Sequence, residues 1–355
     1  MRALLGDWTM PLRRRLETDV HPLRYLFLEV TRRCNLRCRH CGSDCSRAPV
    51  PGELSTAEWC GFIEGLAART RPRSILMVLT GGEPLCHPEL SAILQTVRRC
   101  GFPWGMVTNG WSLDGETLGT LLSLGLRSLT VSLDGLRPSH DWLRGVAGSF
   151  DRALAACELL AEAGPPVWDV VTCAHPRNLE ELPEVHALLA RVGVPVWRIF
   201  TIFPRGRAAT SDELLLKAEE LRSLLDWIAS ARSGAARGGL LPSYGCEGYL
   251  PASVDRAVRD QPYFCRAGIN IASVLADGSI GACPNIDPAL IQGNTRGDDF
   301  LRVWEDRFEA FRDRSWMRTG HCAECGEWPR CQGNSLHLWD TERAEPALCH
   351  FSALQ

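Results

Sequence analysis

The sequence predicts an α/β protein in which parallel strands alternate with helices, followed by a smaller cysteine-rich region. Between residues 24 and 235, short apolar runs alternate six times with longer amphipathic segments, which is the pattern of parallel strands joined by crossover helices. After a glycine-rich stretch at 233–239 this alternation ends, and cysteine, glycine and tryptophan become frequent. We therefore divide the chain into an N-terminal segment at 1–23, a main domain at 24–235 and a smaller domain at 236–355.

The six apolar runs are the candidate strands, and several are apolar nearly throughout, as is typical of strands covered on both faces. They span residues 25–31, 74–80, 104–108, 128–133, 167–172 and 196–201. The helices predicted between them span 56–69, 88–100, 114–124, 149–163 and 179–192, and Ser55 with Glu58 predicts a capping box at the first. Because the strands end in polar or glycine-containing turns, we expect the functional groups at those turns.

The composition is that of an ordinary globular protein and excludes several classes of partner. The 355 residues are 45% hydrophobic and 23% charged, which allows a sizeable core. The formal net charge of -3 gives no long-range field for nucleic acid, and we interpret the basic run at 13–15 as a solvated helix end. The chain has no apolar run of about 20 residues and no signal peptide. We expect a cytoplasmic protein without a nucleic-acid or membrane partner.

The sixteen cysteines indicate metal binding, because a reducing cytoplasm disfavours disulfides. Cys34, Cys38 and Cys41 directly follow the first predicted strand, and three thiolates on one loop can converge on an iron–sulfur cluster. Three protein ligands leave one iron open to a cofactor or substrate. Cys45 could instead supply a fourth ligand, so a structural zinc site is the alternative for this motif taken alone.

Polar or glycine residues also follow the next three predicted strands. Gly81 and Gly82 end the second, where the absence of side chains lets backbone groups approach a ligand closely. The alternative for this pair is an ordinary strand-terminating turn. Asn109 ends the third strand, and Ser132 and Asp134 end the fourth.

Together these motifs resemble the radical S-adenosylmethionine (SAM) superfamily. The resemblance implies a partial (β/α)6 barrel in which three cysteines hold a [4Fe–4S] cluster, whose fourth iron binds the amino and carboxylate groups of SAM. Reductive cleavage would yield a 5′-deoxyadenosyl radical that abstracts hydrogen from a substrate, with a flavodoxin- or ferredoxin-type protein as electron donor. The motifs that carry the resemblance occur in the family's order: Cys34-Asn-Leu-Arg-Cys38-Arg-His-Cys41, Gly81-Gly82-Glu83-Pro84 and Ser132-Leu-Asp134-Gly135.

The resemblance also implies which residues bind SAM. Arg144 would pair with its carboxylate, because a planar guanidinium suits bidentate recognition; an ordinary surface ion pair is the alternative. Gly206 and Arg207, after the last predicted strand, resemble a family turn near the adenosine. The turn Gly81-Gly82-Glu83 would bind the amino group of SAM. The methionyl or ribose groups would be contacted by Asn109, Ser132 and Asp134.

The C-terminal cysteines resemble the SPASM extension, in which seven cysteines carry two auxiliary [4Fe–4S] clusters. Cys265 and Cys283 flank a predicted hairpin turn at 277–279 and would share the inner cluster with Cys246. The family expects a further cysteine at the position of Ser335. By correspondence the outer cluster would be fully ligated by Cys322, Cys325, Cys331 and Cys349.

The serine leaves the inner cluster with three thiolates. Its open iron could bind substrate, or the loss could be tolerated in a cluster that only transfers electrons. A nitrogen or oxygen ligand could also come from Asn334, Ser335, His337 or Asp340. Zinc is again the alternative, because C-x2-C followed by two more cysteines is a frequent zinc pattern.

The resemblance predicts a radical SAM enzyme that modifies a ribosomally made peptide by crosslinking, epimerisation or oxidation. Cys173, at the end of the fifth predicted strand, is our preferred donor of a hydrogen atom to the substrate radical, ahead of Cys45 and Cys86. Residues 1–23 predict no separate peptide-recognition domain, which argues against a leader-peptide mechanism. The alternatives are a radical SAM enzyme of cofactor or porphyrinoid biosynthesis, a non-catalytic iron–sulfur electron carrier and a zinc-stabilised binding module.

Overall fold

The computed structural model describes residues 2–235 and 238–355, with side chains from residue 10 onward. Its strands, in chain order, are β1 (Tyr25–Glu29), β2 (Leu76–Thr80), β3 (Trp104–Thr108), β4 (Leu126–Ser132), β5 (Val167–Ala174), β6 (Trp197–Thr201), β7 (Pro242–Tyr244), β8 (Ile271–Val274), β9 (Ser279–Gly281), β10 (Gly293–Asn294), β11 (Trp339–Asp340) and β12 (Glu345–Pro346). The helices are α1 (Arg2–Val20), α2 (Thr56–Ala67), α3 (Leu90–Arg99), α4 (Gly115–Ser123), α5 (Arg137–Arg144), α6 (Ser149–Ala163), α7 (Leu182–Val192), α8 (Ala218–Gly234), α9 (Ala252–Val258), α10 (Phe300–Asp306), α11 (Glu309–Arg312), α12 (Gly320–Ala323), α13 (Trp328–Cys331) and α14 (His350–Ala353).

One sheet holds ten of these strands, in the order β10-β9-β8-β1-β2-β3-β4-β5-β6-β7. From β1 to β7 each strand pairs in parallel with the next one in the chain. Consecutive right-handed crossovers in one direction place their helices on the same face, so the sheet curls into an open barrel. The predicted alternation of six strands and helices is confirmed, and the three-residue β7 adds a seventh parallel strand that is too short to show a periodic pattern.

The two faces of the sheet differ in polarity. Trp197 on β6 packs against the rings of His186 on α7 and Trp227 on α8, with ring centroids 5.8 and 5.7 Å away. Successive side chains of a strand point to opposite faces, so Arg198 and Phe200 lie on the face without helices. We call this the inner face, and on the central strands it carries Thr130, Ser132, Asp169, Val171, Cys173, Arg198 and Phe200.

The strand boundaries differ from the predicted ones by a few residues. β1 ends at Glu29 rather than at residue 31, because the chain turns away there to begin the cysteine loop. β5 continues to Ala174, two residues beyond the prediction, because Ala174 still pairs in register with Thr201 of β6. Cys173 is therefore the penultimate residue of β5 rather than the first residue after it.

The C-terminal part of the chain shares this sheet. β7 pairs with β6 at one edge of the six central parallel strands, and β8 pairs in parallel with β1 at the opposite edge. The predicted boundary after residue 235 adjoins residues 236–237, which lie outside the described residues. Among the described residues, no helix combines the length and apolar character needed to cross a membrane.

The N-terminal segment forms α1, and its basic run lies inside this helix. The guanidinium of Arg14 stacks on the Phe264 ring, 5.1 Å from its centroid, and Arg14 Nη1 donates to the carbonyl of Arg330 at 2.9 Å. Arg14 is buried. Our interpretation of residues 13–15 as a solvated helix end is therefore wrong for Arg14, which attaches α1 to the C-terminal region.

Candidate functional site

The loop between β1 and α2 brings the first three cysteines together. Cys34 and Cys38 are buried, and with Leu36 and Cys45 they form a small cluster that Cys41 packs against. Burial raises the pKa of Cys34 to about 12 and also raises the pKa of Cys38. The raised pKa values favour the protonated thiols. A bound metal cation reverses this preference for the protonated form, because a coordinating thiol is deprotonated outright. The loop therefore presents closely spaced thiols suited to a metal centre.

Cys45 lies beside Cys41 in the same loop. A hydrogen bond from the Cys45 thiol lowers the pKa of Cys41, and the same contact raises the pKa of Cys45. The backbone N–H of Cys45 also points at Cys41 Sγ, at 3.4 Å. Cys45 therefore lies close enough to Cys41 to remain a candidate for the fourth sulfur ligand of a metal at this loop.

Gly81 and Gly82 lie against the backbone of the cysteine loop. A Cβ at Gly81 would overlap the carbonyl oxygen of Thr31, and one at Gly82 would overlap that of Arg33. The Gly82 N–H donates to Thr31 O at 2.8 Å. This close approach to the loop backbone, rather than to a ligand, explains why both positions are glycine. Binding of the SAM amino group at this turn stays a prediction.

Glu83 joins the same turn to the end of β3. Its buried carboxylate accepts hydrogen bonds from Thr108 Oγ1 at 2.8 Å and from the Asn109 N–H at 2.7 Å. Asn109 Nδ2 in turn donates to Asn35 Oδ1 at 2.8 Å and lies 3.9 Å from Cys34 Sγ. The structure therefore brings two of the predicted site residues, Glu83 and Asn109, together with the first cysteine.

A buried ion pair connects the end of β4 to the cysteines. Asp134 Oδ2 lies 2.5 Å from Arg144 Nε, and Arg144 Nη1 lies 3.6 Å from Cys38 Sγ. Burial acts to raise the pKa of Asp134, but Arg144, His40 and His140 together lower it to about 2, so the carboxylate is charged. Arg144 is buried, and the alternative of a surface ion pair is wrong. A contact between Arg144 and the SAM carboxylate stays a prediction.

Cys173 and Ser132 lie on the inner face beside this ion pair. The Cys173 N–H donates to Asp134 Oδ1 at 2.8 Å, and Ser132 is paired in register with Val171 on the neighbouring strand. Burial and the Asp134 charge raise the pKa of Cys173 well above its ordinary value, which favours the S–H form.

Sequence reasoning missed His40, because the histidines of the chain form no regularly spaced set. One ligand atom each from His40, Asp134 and Cys173 lies within 4.8 Å of the other two. The position of His40 between two cysteines of the loop was the one indication available in the sequence. Its side chain therefore belongs to the surroundings of the first cysteine group.

The turn at Gly206 and Arg207 holds the cysteine loop in place. Arg207 Nε donates to Cys38 O at 2.7 Å, and Arg207 Nη1 donates to Cys45 O at 2.9 Å. Gly206 has a φ of +54°, and a Cβ there would overlap the carbonyl oxygen of Cys41. These contacts give Arg207 a role in positioning the loop that the sequence did not indicate. Its predicted role near adenosine stays a prediction.

The C-terminal cysteines lie in the two groups that the resemblance implies. The outer group surrounds one cavity, and burial raises the pKa of Cys322 to about 11 and that of Cys331 to about 12. In the inner group, burial raises the pKa of Cys283 well above its ordinary value. The outer group consists of Cys322, Cys325, Cys331 and Cys349, and the inner group of Cys246, Cys265 and Cys283.

Ser335 lies next to the inner group, because the following residue, Leu336, directs its N–H at Cys265. Three neighbouring side chains are the other candidate ligands. Asn334 Oδ1 accepts from the Tyr249 N–H at 2.7 Å, and Asp340 Oδ1 accepts from the N–H groups of the turn that follows it. His337 Nδ1 is buried without a hydrogen-bond partner in the described part of the chain. Ser335 and His337 thus have fewer competing contacts than Asn334 and Asp340.

Two buried arginines show that the cysteine groups fit a negatively charged metal centre. Arg14 and Arg314 form no ion pair with a carboxylate within residues 10–235 and 238–355, although buried charges are costly without a counter-charge. Arg14 Nη2 has no hydrogen-bond partner there either. Arg314 Nη2 donates to Cys265 Sγ at 3.2 Å, and Cys331 is near both arginines. Thiolates holding a metal centre would supply the missing negative charge.

Comparison with known proteins gives matches along most of the chain. The radical SAM superfamily profile matches residues 28–189, and the profile of SPASM, an iron–sulfur cluster-binding domain, matches 265–326. The mycofactocin maturase MftC of Mycolicibacterium smegmatis is 31% identical over 87% of this chain and 76% of its own length. An AdoMet-dependent heme synthase of Oleidesulfovibrio alaskensis is 28% identical over 99% and 92%. The PqqA peptide cyclase of Rhizobium meliloti is 26% identical over 94% and 88%.

Replacing Gly206 by alanine should displace the cysteine loop, because the added Cβ would overlap Cys41 O in a backbone conformation that already disfavours alanine. We expect anaerobically reconstituted Gly206→Ala to lose roughly four irons per chain, the content of one [4Fe–4S] cluster. Gly148→Ala is the matched control, since Gly148 also has positive φ but a Cβ there meets nothing within 4 Å. Equal iron contents in the two variants would contradict the positioning role of this turn.

Proposed function

Because the chain belongs to the radical SAM superfamily and carries a SPASM domain, we propose that it cleaves SAM at the first three cysteines and modifies a peptide. Its relatives are enzymes, and so is this chain. When bound, a [4Fe–4S] cluster at Cys34, Cys38 and Cys41 supplies the electron that cleaves SAM into methionine and the hydrogen-abstracting radical. The observation that carries the proposal is the convergence of these cysteines with the Asp134–Arg144 ion pair at one end of the parallel strands.

The residues around the loop have two tasks in this proposal. Gly81, Gly82 and Arg207 give the loop its shape through the backbone contacts described above, and the Gly81-Gly82-Glu83 turn also receives the SAM amino group. Arg144, oriented by Asp134, offers its guanidinium to the SAM carboxylate. Asn109, Ser132 and Asp134 would contact the methionyl or ribose groups.

The cysteines beyond residue 235 would form the auxiliary-cluster domain of the same enzyme. A flavodoxin- or ferredoxin-type protein would deliver electrons to it in the cytoplasm, where reducing conditions keep thiols available as ligands. We propose two auxiliary [4Fe–4S] clusters, the outer held by Cys322, Cys325, Cys331 and Cys349 and the inner by Cys246, Cys265 and Cys283.

A peptide substrate is supported by the similarity to the PqqA peptide cyclase, which extends over 94% of this chain. A second candidate substrate is a tetrapyrrole, because the heme synthase of Oleidesulfovibrio alaskensis matches 99% of the chain and 92% of its own length. Both candidates use the same radical-forming site and differ in what occupies the inner face.

Removing the first three cysteines should abolish SAM cleavage and spare the auxiliary sites. We expect the Cys34→Ala/Cys38→Ala/Cys41→Ala variant to retain about eight irons after reconstitution, the content of two [4Fe–4S] clusters, and to form no 5′-deoxyadenosine with dithionite and SAM. The control changes to alanine three helical or helix-capping cysteines outside all three cysteine groups, Cys60, Cys100 and Cys157, and should retain cleavage. Cleavage by the first variant would show that the site is misassigned.

The substrate class can be tested by offering both candidates to the reconstituted enzyme. We expect 5′-deoxyadenosine formation to be stimulated by peptides encoded by short reading frames beside the gene, and the peptide mass to change in proportion. Fe-coproporphyrin III, which represents the tetrapyrrole candidate, should neither stimulate 5′-deoxyadenosine formation nor change in mass. Mass spectrometry of both mixtures distinguishes the outcomes, and a changed porphyrin beside unchanged peptides would favour the tetrapyrrole.

We also propose Cys173 as the donor of a hydrogen atom to the substrate radical. Its thiol lies on the inner face beside Asp134, and its raised pKa keeps the S–H bond that such a transfer requires. The S–H bond breaks as a C–H bond forms on the substrate, and the resulting thiyl radical is restored by one electron from the external donor and one proton from solvent. The product is a residue of inverted configuration.

In D2O, the wild-type enzyme should therefore place one deuterium on the modified carbon, because the Cys173 thiol exchanges with solvent. We expect Cys173→Ala to continue cleaving SAM but to lose this incorporation. Cys157→Ala, a change at a buried cysteine of α6, should behave as the wild type. Deuterium incorporation by Cys173→Ala at the wild-type level, measured by mass spectrometry, would remove Cys173 from the mechanism.

A further inference from the structure

An open cleft of about 530 Å³ lies where the inner face of the sheet meets the inner cysteine group. One wall consists of Arg198 and Phe200 on β6, and Cys246 lies exposed within it. Its lining also includes residues 259–264, Arg266 and Arg13 on α1. We infer that this cleft binds a carboxylate group of the substrate and that Arg266 provides the counter-charge. The inference rests on the proposed function, since it concerns how that enzyme holds its substrate.

The charges in the cleft leave one arginine available. Arg13 Nε pairs with Glu17 at 2.9 Å, and Arg198 Nε pairs with Asp169 at 2.5 Å. The third arginine of the wall, Arg259, forms a buried ion pair within α9 and its C-cap and donates to backbone carbonyls. The acid in the lining, Asp260, is paired with Arg232 on α8.

Arg266 differs from these arginines. Its side chain is half-buried. In the described part of the chain, its guanidinium group has one charge-related contact, with the Phe264 ring, 5.7 Å from the ring centroid. It has no hydrogen bond or ion pair with a carboxylate among residues 10–235 and 238–355. The cleft therefore offers one guanidinium that no carboxylate of the described residues pairs with, which matches a monoanion and forms charge-assisted hydrogen bonds with it.

The remaining lining favours a carboxylate on a carbon skeleton over an inorganic or polyphosphate anion. Three aromatic side chains line the cleft and would pack against apolar parts of a ligand. A phosphate dianion or a nucleic-acid backbone would require more than one free positive charge. The three aromatic residues are Phe200, Tyr263 and Phe264.

The cleft also adjoins the strand next to Cys173. Phe200 is paired in register with Cys173, and its ring fills the space where a Cβ of Gly245 would lie. With neighbouring strands about 4.8 Å apart, Cys173 and the Gly245 backbone are about 10 Å from each other. A substrate anchored at Arg266 would thus extend along the inner face past Phe200 toward Cys173.

Two kinds of substrate carry such a group, and the test separates them. Two pairs of probes are used. The first pair is Fe-coproporphyrin III and its tetramethyl ester. The second pair is a mixture of hexapeptides with free C-termini and the same mixture with amidated C-termini. Binding to the reconstituted full-length protein is measured by anaerobic equilibrium dialysis. In the wild type we expect the free acid of one pair to bind about tenfold or more tightly than its blocked form, as charged hydrogen bonds allow.

Three variants complete the experiment. Arg266→Gln should lose the preference for the free acid, Arg266→Lys should retain part of it, and Arg15→Gln, a change at an exposed arginine of α1, should retain all of it. Iron content and the visible absorption of each protein report whether the clusters are loaded, because Arg266 adjoins Cys265. Only proteins with wild-type iron content are compared.

The inference is overturned if the wild type prefers neither free acid, or if loaded Arg266→Gln keeps the wild-type preference. The preferred pair identifies the source of the carboxylate as a peptide terminus or a propionate. 5′-Deoxyadenosine formation by the wild type is measured in parallel without any probe. Its absence would overturn the proposed function, whereas loss of the acid preference alone would overturn only the carboxylate site.

Discussion

The cysteine loop between β1 and α2 has almost no regular secondary structure of its own, so contacts from neighbouring strand ends determine its shape. The second strand ends in two glycines that lie against the loop backbone, and the third holds Asn109 beside Cys34. Beyond the fourth strand, Arg144 reaches Cys38, and after the sixth, Arg207 donates to two loop carbonyls. Metal centres tolerate little error in ligand position, which makes these contacts the constraint on which the chemistry of the protein depends.

Much of this arrangement could be predicted because local sequence patterns encode it. Apolar runs separated by amphipathic segments identified the parallel strands, and the spacing of Cys34, Cys38 and Cys41 identified the metal loop. The position of polar residues after strands then indicated that Asn109, Asp134 and the loop would meet at one edge of the sheet. All three inferences need only the order of residues along the chain and the geometry of parallel sheets.

The contacts that the sequence did not show are long-range or depend on the backbone. Arg14 is 316 residues from the carbonyl it binds, and nothing in the run at 13–15 distinguishes it from its exposed neighbours. Arg207 matched a family turn, yet its observed hydrogen bonds go to loop carbonyls, which leave no trace in side-chain patterns. The pairing of β8 with β1 was missed for the same reason, since four residues are too few to show their partner strand.

The burial of Arg14 and Arg314 has a consequence for how the protein matures. Until thiolates form around a metal, both guanidinium groups lack a compensating charge, so metal binding should stabilise the region where α1 meets the C-terminal segment. Metal insertion and the final packing of the two chain ends then become one coupled event. Loss of that metal would again leave both guanidinium groups buried without a counter-charge and would weaken the contact between α1 and the C-terminal region.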